Sequence, residues 1–408
     1  MAMKTVTKVL ESDRILRVVN GNERAFGRLI LSKSDNSESY TMWSSDTVPT
    51  YFRIYMFNWT NSESSLLNNE KPLLEEIGPY VFRIHLLKDK IIWNENNTVS
   101  FRSRRRWDFV PELSNGSLYD SITNINPVVV SIASMCKYCS EIKKMSLNAL
   151  LKYNEKSIFI TKTVGELLFD GYHDKMLDML QKLKKILKNF DFPEKFAWYY
   201  EKNLTESNYY NMYTGNFNIN KMGMLHSWNF DNKCHAYSGV CAQVDGSLGD
   251  LWPMRIGQQT EAPLFISDFC SNFRLFKIGS NLIYDVEGIQ FEGTEDTFDN
   301  GTKRQDMRCY CPQNQCSIKS GIRNVSSCLK APIFVSFPHF LNADSSYSDA
   351  IEGMNPNSTK HKFHITFQKD WGLVLDVTAR LQINMLIEPI EGMELNISSQ
   401  WFDNFSNE

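Results

Sequence analysis

Cysteine placement constrains this chain more than any other feature. Seven of the nine cysteines fall between Cys234 and Cys328, five of them between Cys270 and Cys328, with Cys309-x-Cys311 followed by Cys316. A zinc site calls for paired Cys-x2-Cys knuckles, but Cys136 and Cys139 stand without a second pair at finger spacing. Redox catalysis by that pair lacks a βαβ setting. What remains is structural disulfides in an oxidising compartment. Nine Asn-x-Ser/Thr sequons agree with such a compartment: Asn58, Asn96, Asn115, Asn203, Asn300, Asn324, Asn357, Asn396 and Asn404. Glycans require surface positions, so all nine are expected to be exposed.

With 42% hydrophobic and 13% aromatic residues the chain can bury a large core, which sets disordered and fibrous classes aside. A net charge of -3 gives no global electrostatic case for nucleic acid. The most apolar stretches, Val128 to Met135 and Ala331 to Phe337, fall far short of a membrane span, so the sequence as written reads as soluble. Met1 to Leu10 carries lysines at 4 and 8 but no apolar run after them, and is not read as a signal peptide. No Pro/Gly/Ser-rich linker divides the chain, which favours one large unit.

From Leu375 to Ile387 apolar and polar residues alternate, which predicts a strand long enough to bend round a large barrel or strongly twisted sheet. Phe363, Ile365 and Phe367 alternate just before it, across a turn at 369–372, and predict its hairpin partner. Earlier strands are expected at Tyr51 to Phe57, Tyr80 to Leu87 and Val99 to Phe109, and helical spacing covers 141–156 and 174–189. The plan is a β core interrupted by a helical insertion.

Catalytic signatures such as Gly-x-Ser-x-Gly, His-Glu-x-x-His, a phosphate loop or a dinucleotide fingerprint are missing from the sequence, so neither an enzyme nor a cofactor or metal is expected. His361 and His364 read as surface residues, and Asp174 as the N-cap of the following helix. Arg102, Arg104 and Arg106 share one face of a strand; that face is either solvated or meets an anionic partner such as lipid headgroups.

Several ordered motifs carry a resemblance. Phe57-Asn58-Trp59-Thr60-Asn61, Gly78-Pro79-Tyr80-Val81-Phe82-Arg83, Thr163-Val164-Gly165-Glu166-Leu167-Leu168 with Gly171-Tyr172, Ser267-Asp268-Phe269-Cys270, Phe337-Pro338-His339-Phe340 and Ala350-Ile351-Glu352-Gly353-Met354-Asn355-Pro356-Asn357 follow one another collinearly. Together they resemble the class B scavenger receptors and their lysosomal integral membrane relatives, nearest to the lysosomal branch through Tyr200-Glu201-Lys202-Asn203-x-Thr205. One departure is Phe169-Asp170, which puts an extra residue before Gly171.

The resemblance implies an α+β ectodomain: a large antiparallel β-barrel-like core, a membrane-distal helical bundle and an internal hydrophobic tunnel. It divides the chain into a membrane-proximal segment 1–27, one ectodomain 28–403 with its helical apex near 127–190, and a tail 404–408. It pairs Cys241 with Cys309, Cys270 with Cys328 and Cys311 with Cys316, while Cys136 and Cys139 would bridge locally and leave Cys234 odd. Leu375, Val377, Leu381, Ile383 and Met385 are expected to line the tunnel. Lys143, Lys144, Lys152, Lys182 and Lys185 are expected on the apical helices, as plain solvating residues or as a cationic patch. Implied partners are fatty acids, sterols, phospholipids or lipoproteins, alternatively a lysosomal hydrolase, with no nucleic acid. The implied location is the plasma membrane or the lysosomal membrane, through anchors absent from this chain.

Overall fold

The computed structural model describes residues 2–9, 30–33, 37–46, 48–154, 157–182, 193–283, 285–311, 316, 318–393 and 395. Its organising element is the alternating C-terminal strand, β15 in a series that begins with β1 (Ala2–Val9), β2 (Thr50–Trp59), β3 (Leu74–Trp93) and β4 (Thr98–Phe109). Then come β5 (Ser121–Ile125), β6 (Phe159–Thr163), β7 (Glu206–Tyr213), β8 (Leu225–Trp228), β9 (Glu261–Ile266), β10 (Ser271–Ile283) and β11 (Val286–Glu292). β12 (Arg323–Asn324), β13 (Ile333–Ser336), β14 (His364–Gln368) and β15 (Val374–Met385) complete it. Among the described residues thirteen strands form one antiparallel sheet in the order β8-β7-β4-β3-β2-β1-β15-β14-β11-β10-β9, with β12 and β13 attached through β15.

β15 holds this sheet together because its two edges serve three partners: β1 along one edge, and β14 then β13 along the other. The expected hairpin between β14 and β15 is present, as are the earlier strands, which run longer than the alternation suggests. β3 reaches twenty residues by bulging opposite Ile54 and Met56. Gly78 lies beside that bulge at φ +119°, where a Cβ would meet the Ile54 carbonyl oxygen at 2.8 Å, so a side chain is excluded there. β1, from the expected membrane-proximal segment 1–27, is inserted between β2 and β15.

Five helices in the first half carry labels here: α1 (Glu38–Ser44), α2 (Ser62–Asn68), α3 (Pro127–Met135), α4 (Glu141–Tyr153) and α5 (Lys175–Lys182). None is long and apolar enough to cross a membrane. α3, α4 and α5 gather around Val128, Val129, Ile132, Leu147, Leu151, Met176 and Leu177, packed against Trp59 of β2. Asp174 caps α5 as the sequence implies, its Oδ1 accepting from the Met176 N–H at 2.8 Å. Glu166–Asp170, just before Gly171, form a single π-helical turn.

The largest core cluster lies under the second half of the sheet, where Trp252, Phe273, Phe291, Phe298, Phe337, Phe363 and Phe367 are buried together. The disulfides Cys241–Cys309, Cys270–Cys328 and Cys311–Cys316 pin the loops around this cluster. Cys136–Cys139 joins the end of α3 to the start of α4, and Cys234 is a buried free thiol whose pKa burial raises.

Candidate functional site

Apolar faces of β2, β3, β4, β9, β14 and β15 do not close on one another completely. Between them lies a main cavity of about 240 Å³, walled by Phe52, Ile84, Leu86, Phe101, Trp107, Phe265 and Leu381. On β4 the alternation that sends Arg102, Arg104 and Arg106 outward sends Phe101, Ser103, Arg105 and Trp107 into this cavity. Arg105 is therefore an interior cation. Its Nη1 donates to Asp268 at 2.7 and 3.0 Å, and that carboxylate raises the guanidinium pKa further, against the burial that lowers it. Nearby, the Tyr210 and Ser267 hydroxyls are hydrogen-bonded at 2.8 Å. Outside, Arg104 pairs with Asp89 and Arg106 with Asp108, which matches a solvated face better than a free cationic one.

A second, lateral cavity of about 410 Å³ is lined by Phe57, Trp59, Leu74, Ile322, Phe334, Phe340, Ile351 and Met385. Charge enters its lining through Lys137, whose Nζ donates to both Glu388 oxygens at 2.8 Å, and through Lys319. A third, small chamber of about 70 Å³ adjoins the main cavity beside α1.

Of the five expected lining residues on β15, Val377 and Leu381 face the main cavity and Met385 the lateral one. The other two are corrected: Leu375 packs on Val286, and Ile383 lies against the aromatic core. Strict alternation fails because both faces of β15 are covered. Gln382 and Asn384, on the nominally polar side, are buried under β13 and the turn after it, where Gln382 accepts from the His339 N–H and Asn384 donates to the Ser336 hydroxyl.

The lysine set divides. Lys143 and Lys152 are exposed on α4, whereas Lys144 is only 6% exposed and donates to Glu141 at 3.0 Å, which corrects its placement in a surface patch. Helical spacing is the reason, since 144, 147 and 151 fall on one stripe with Leu147 and Leu151 inside. Lys182 ends α5, with a side chain outside the described residues, as is Lys185. The outer face of α4 instead shows Ile142, 77% exposed, with Met145 and Tyr153.

Among the sequons Asn96, Asn115, Asn203 and Asn357 are exposed, Asn58 and Asn324 are partly buried, and Asn396 and Asn404 lie outside the described residues. Asn300 corrects the expectation: it is buried, and its amide donates to the Ile318 carbonyl at 2.6 Å.

The histidines correct it too. His361 is buried and stacks on His339 with ring centroids 4.3 Å apart, while His339 Nε2 contacts Glu76 at 2.6 Å; His364 Nε2 contacts Asp376. Glu76, His339 and His361 converge closely enough to suggest a cation site, but each Nδ1 already accepts a backbone N–H, from Asn355 and from Asn357. Each neutral ring therefore carries its proton on Nε2, the nitrogen a metal would need bare. The arrangement suits a buried polar cluster. Sequence spacing could not reveal it, because its members are far apart in the chain.

The described residues form a large antiparallel sheet that holds apolar cavities, with disulfides fixing the loops of one half, which is the class of a cavity-bearing, disulfide-linked β-sheet protein. The CD36 family model matches residues 22–404, and the chain belongs to the CD36 family. It is 35% identical to the protein peste of Drosophila melanogaster over 90% of this chain and 66% of that protein. It is 31% identical to scavenger receptor class B member 1 of Cricetulus griseus over 88% of this chain and 69% of the relative. With lysosome membrane protein 2 of Homo sapiens the identity is 29%, over 88% of this chain and 73% of the relative. The chain thus spans about two thirds of the length of the first of these relatives.

Proposed function

We propose that this chain is the lipid-binding ectodomain of a receptor, acting at the cell surface or on the lumenal side of the lysosomal membrane, without catalysing a reaction. The main and lateral cavities carry the reading: both walls are dominated by aromatic and aliphatic side chains, with few charged groups among them. The 410 Å³ lateral cavity is in the range of small-molecule sites, roughly 300–1,000 Å³. Acyl or sterol surface leaving water gains about 25 cal/mol per Å², so affinity is spread over many side chains. A continuous tunnel that conducts lipid toward the membrane is the finer form of this proposal. The ligand classes are fatty acids, sterols, phospholipids or lipoprotein lipid. The exposed sequons at Asn96, Asn115, Asn203 and Asn357 would accept glycans in the same compartment. Mass spectrometry of organic extracts from the purified protein tests it: co-purified lipid is expected, and a protein free of lipid that also fails to bind added fatty acid or sterol overturns it.

A second reading has its own observation. The exposed Ile142, Met145 and Tyr153 on α4, flanked by Lys143 and Lys152, fit a docking face for a protein such as a lysosomal hydrolase.

A further inference from the structure

The main cavity and the small chamber share a wall. Five residues line both: Thr50, Leu86, Lys88, Asp250 and Val374. Only Lys88 and Asp250 among them carry charge, and they are joined, Lys88 Nζ lying 2.8 Å from Asp250 Oδ2. The Lys88 side chain is 5% exposed, and its ammonium stands 5.1 Å from the centroid of the Trp43 ring, which lines the small chamber. β3 delivers the lysine by its own periodicity: Ile84 and Leu86 face the main cavity, and the next inward position is Lys88. Asp250 comes from a bend that includes Gly246 and Gly249, both at positive φ, +97° and +95°.

The lysine of this pair loses most of its hydration while the Asp250 side chain stays 23% exposed, and as a structural device such a pair is often no better than an apolar pair of the same volume. Its location is the informative part. It stands on the wall that the two spaces share, and a buried ammonium with a ring beside it attracts any anion that can reach it through an apolar chamber. Arg105, the other cation of the main cavity, is less free to do this, because one nitrogen is shared between both oxygens of Asp268.

We propose that Lys88 and Asp250 form an internal gate, and that Lys88 is the anchoring point for the anionic head of a single-chain amphiphile whose apolar chain lies in the main cavity. The inference rests on the lipid-binding reading above and narrows it to a ligand class. The head group replaces the Asp250 carboxylate at Lys88, Asp250 turns away on the bend that Gly249 begins, and the two spaces become continuous. Neutral lipids leave the pair closed and bind without that anchor. No bond is made or broken in the exchange.

The test uses delipidated protein, palmitate and methyl palmitate, with affinities read by displacement of a fluorescent fatty acid. The wild type is expected to favour palmitate by about tenfold, the worth of one well-placed charge contact. In Lys88→Met/Asp250→Asn, which removes both charges and leaves neither stranded, the palmitate-to-ester ratio is expected to fall to near one. Asp250→Asn alone removes the competitor while keeping the lysine, and palmitate affinity is expected to rise several-fold. A ratio that persists in the double variant, or palmitate affinity unchanged in Asp250→Asn, overturns the gate while the lipid reading stands. Failure of the wild type to bind either compound overturns both. If the double variant does not fold, the Asp250→Asn result decides alone.

Discussion

The two halves of this molecule are stabilised by different means. Under β9 to β15 large aromatic side chains fill the interior, and disulfides close loops of 68 and 58 residues of sequence separation. At the helical end, α3 to α5 pack through aliphatic side chains and methionines, with one disulfide bridging a separation of three. The difference teaches that the sheet half is tied together over long range, whereas the helical end depends on local pattern. Substitutions should therefore act with different severity in the two halves.

The largest expected effect comes from the cross-links. Replacing Cys270 and Cys328 by serine releases a long loop and is expected to remove about 4 kcal/mol of stability, against less than about 2 kcal/mol for Cys136 and Cys139. Chemical denaturation of the two double variants measures this; equal losses would erase the contrast between the halves.

Next in size is a pH effect confined to the sheet half. Burial, reinforced by the neighbouring His339, lowers the pKa of His361 to about 4, against about 6.5 in an unfolded chain. The unfolded state then binds the extra proton first. Stability present above about pH 6.5 falls as the pH drops toward 4 and is flat below, by up to about 3 kcal/mol. In His361→Gln that loss should shrink, as read by denaturation at pH 7, 5.5 and 4.5. If the full slope survives, the acid sensitivity lies in another group.

A smaller effect separates two adjacent lysines at the helical end. Lys144→Glu places a buried carboxylate beside Glu141 and is expected to cost about 2 kcal/mol. Lys143→Glu, on the exposed face, should stay within about 0.5 kcal/mol in thermal unfolding. Matching values would mean that the stripe through Leu147 and Leu151 does not set the helix's orientation.

The smallest effect is on surface chemistry. Ile142→Glu is expected to leave stability unchanged, because the side chain is exposed, and to weaken binding of a protein partner at α4 if the second functional reading holds. Wild-type partner binding in that variant would remove α4 from consideration.

Much of the architecture was legible from local pattern. Period-two alternation marked β2, β3, β4, β14 and β15, and helical spacing marked α4 and α5. Motif resemblance supplied the disulfide pairing that spacing alone leaves open. The site was read less well. The pairs Lys88–Asp250 and Arg105–Asp268 line one cavity from β3, β4, a bend and a 3-10 turn, and no local rule brings them together. Lys144 was misread although it shares the stripe of Leu147 and Leu151, because a lysine on such a stripe can still reach water and only the segment at Gly392 closes over it.

Sequence by itself determined the periodicities, the compartment implied by cysteines and sequons, and the family, since these depend on residue type and order along the chain. Tertiary structure alone decided which face of β15 is buried, that His361 stacks on His339, and that Lys88 stands between two cavities. Burial and pairing are properties of strands and loops meeting from distant parts of the chain, and chain order carries no record of that distance.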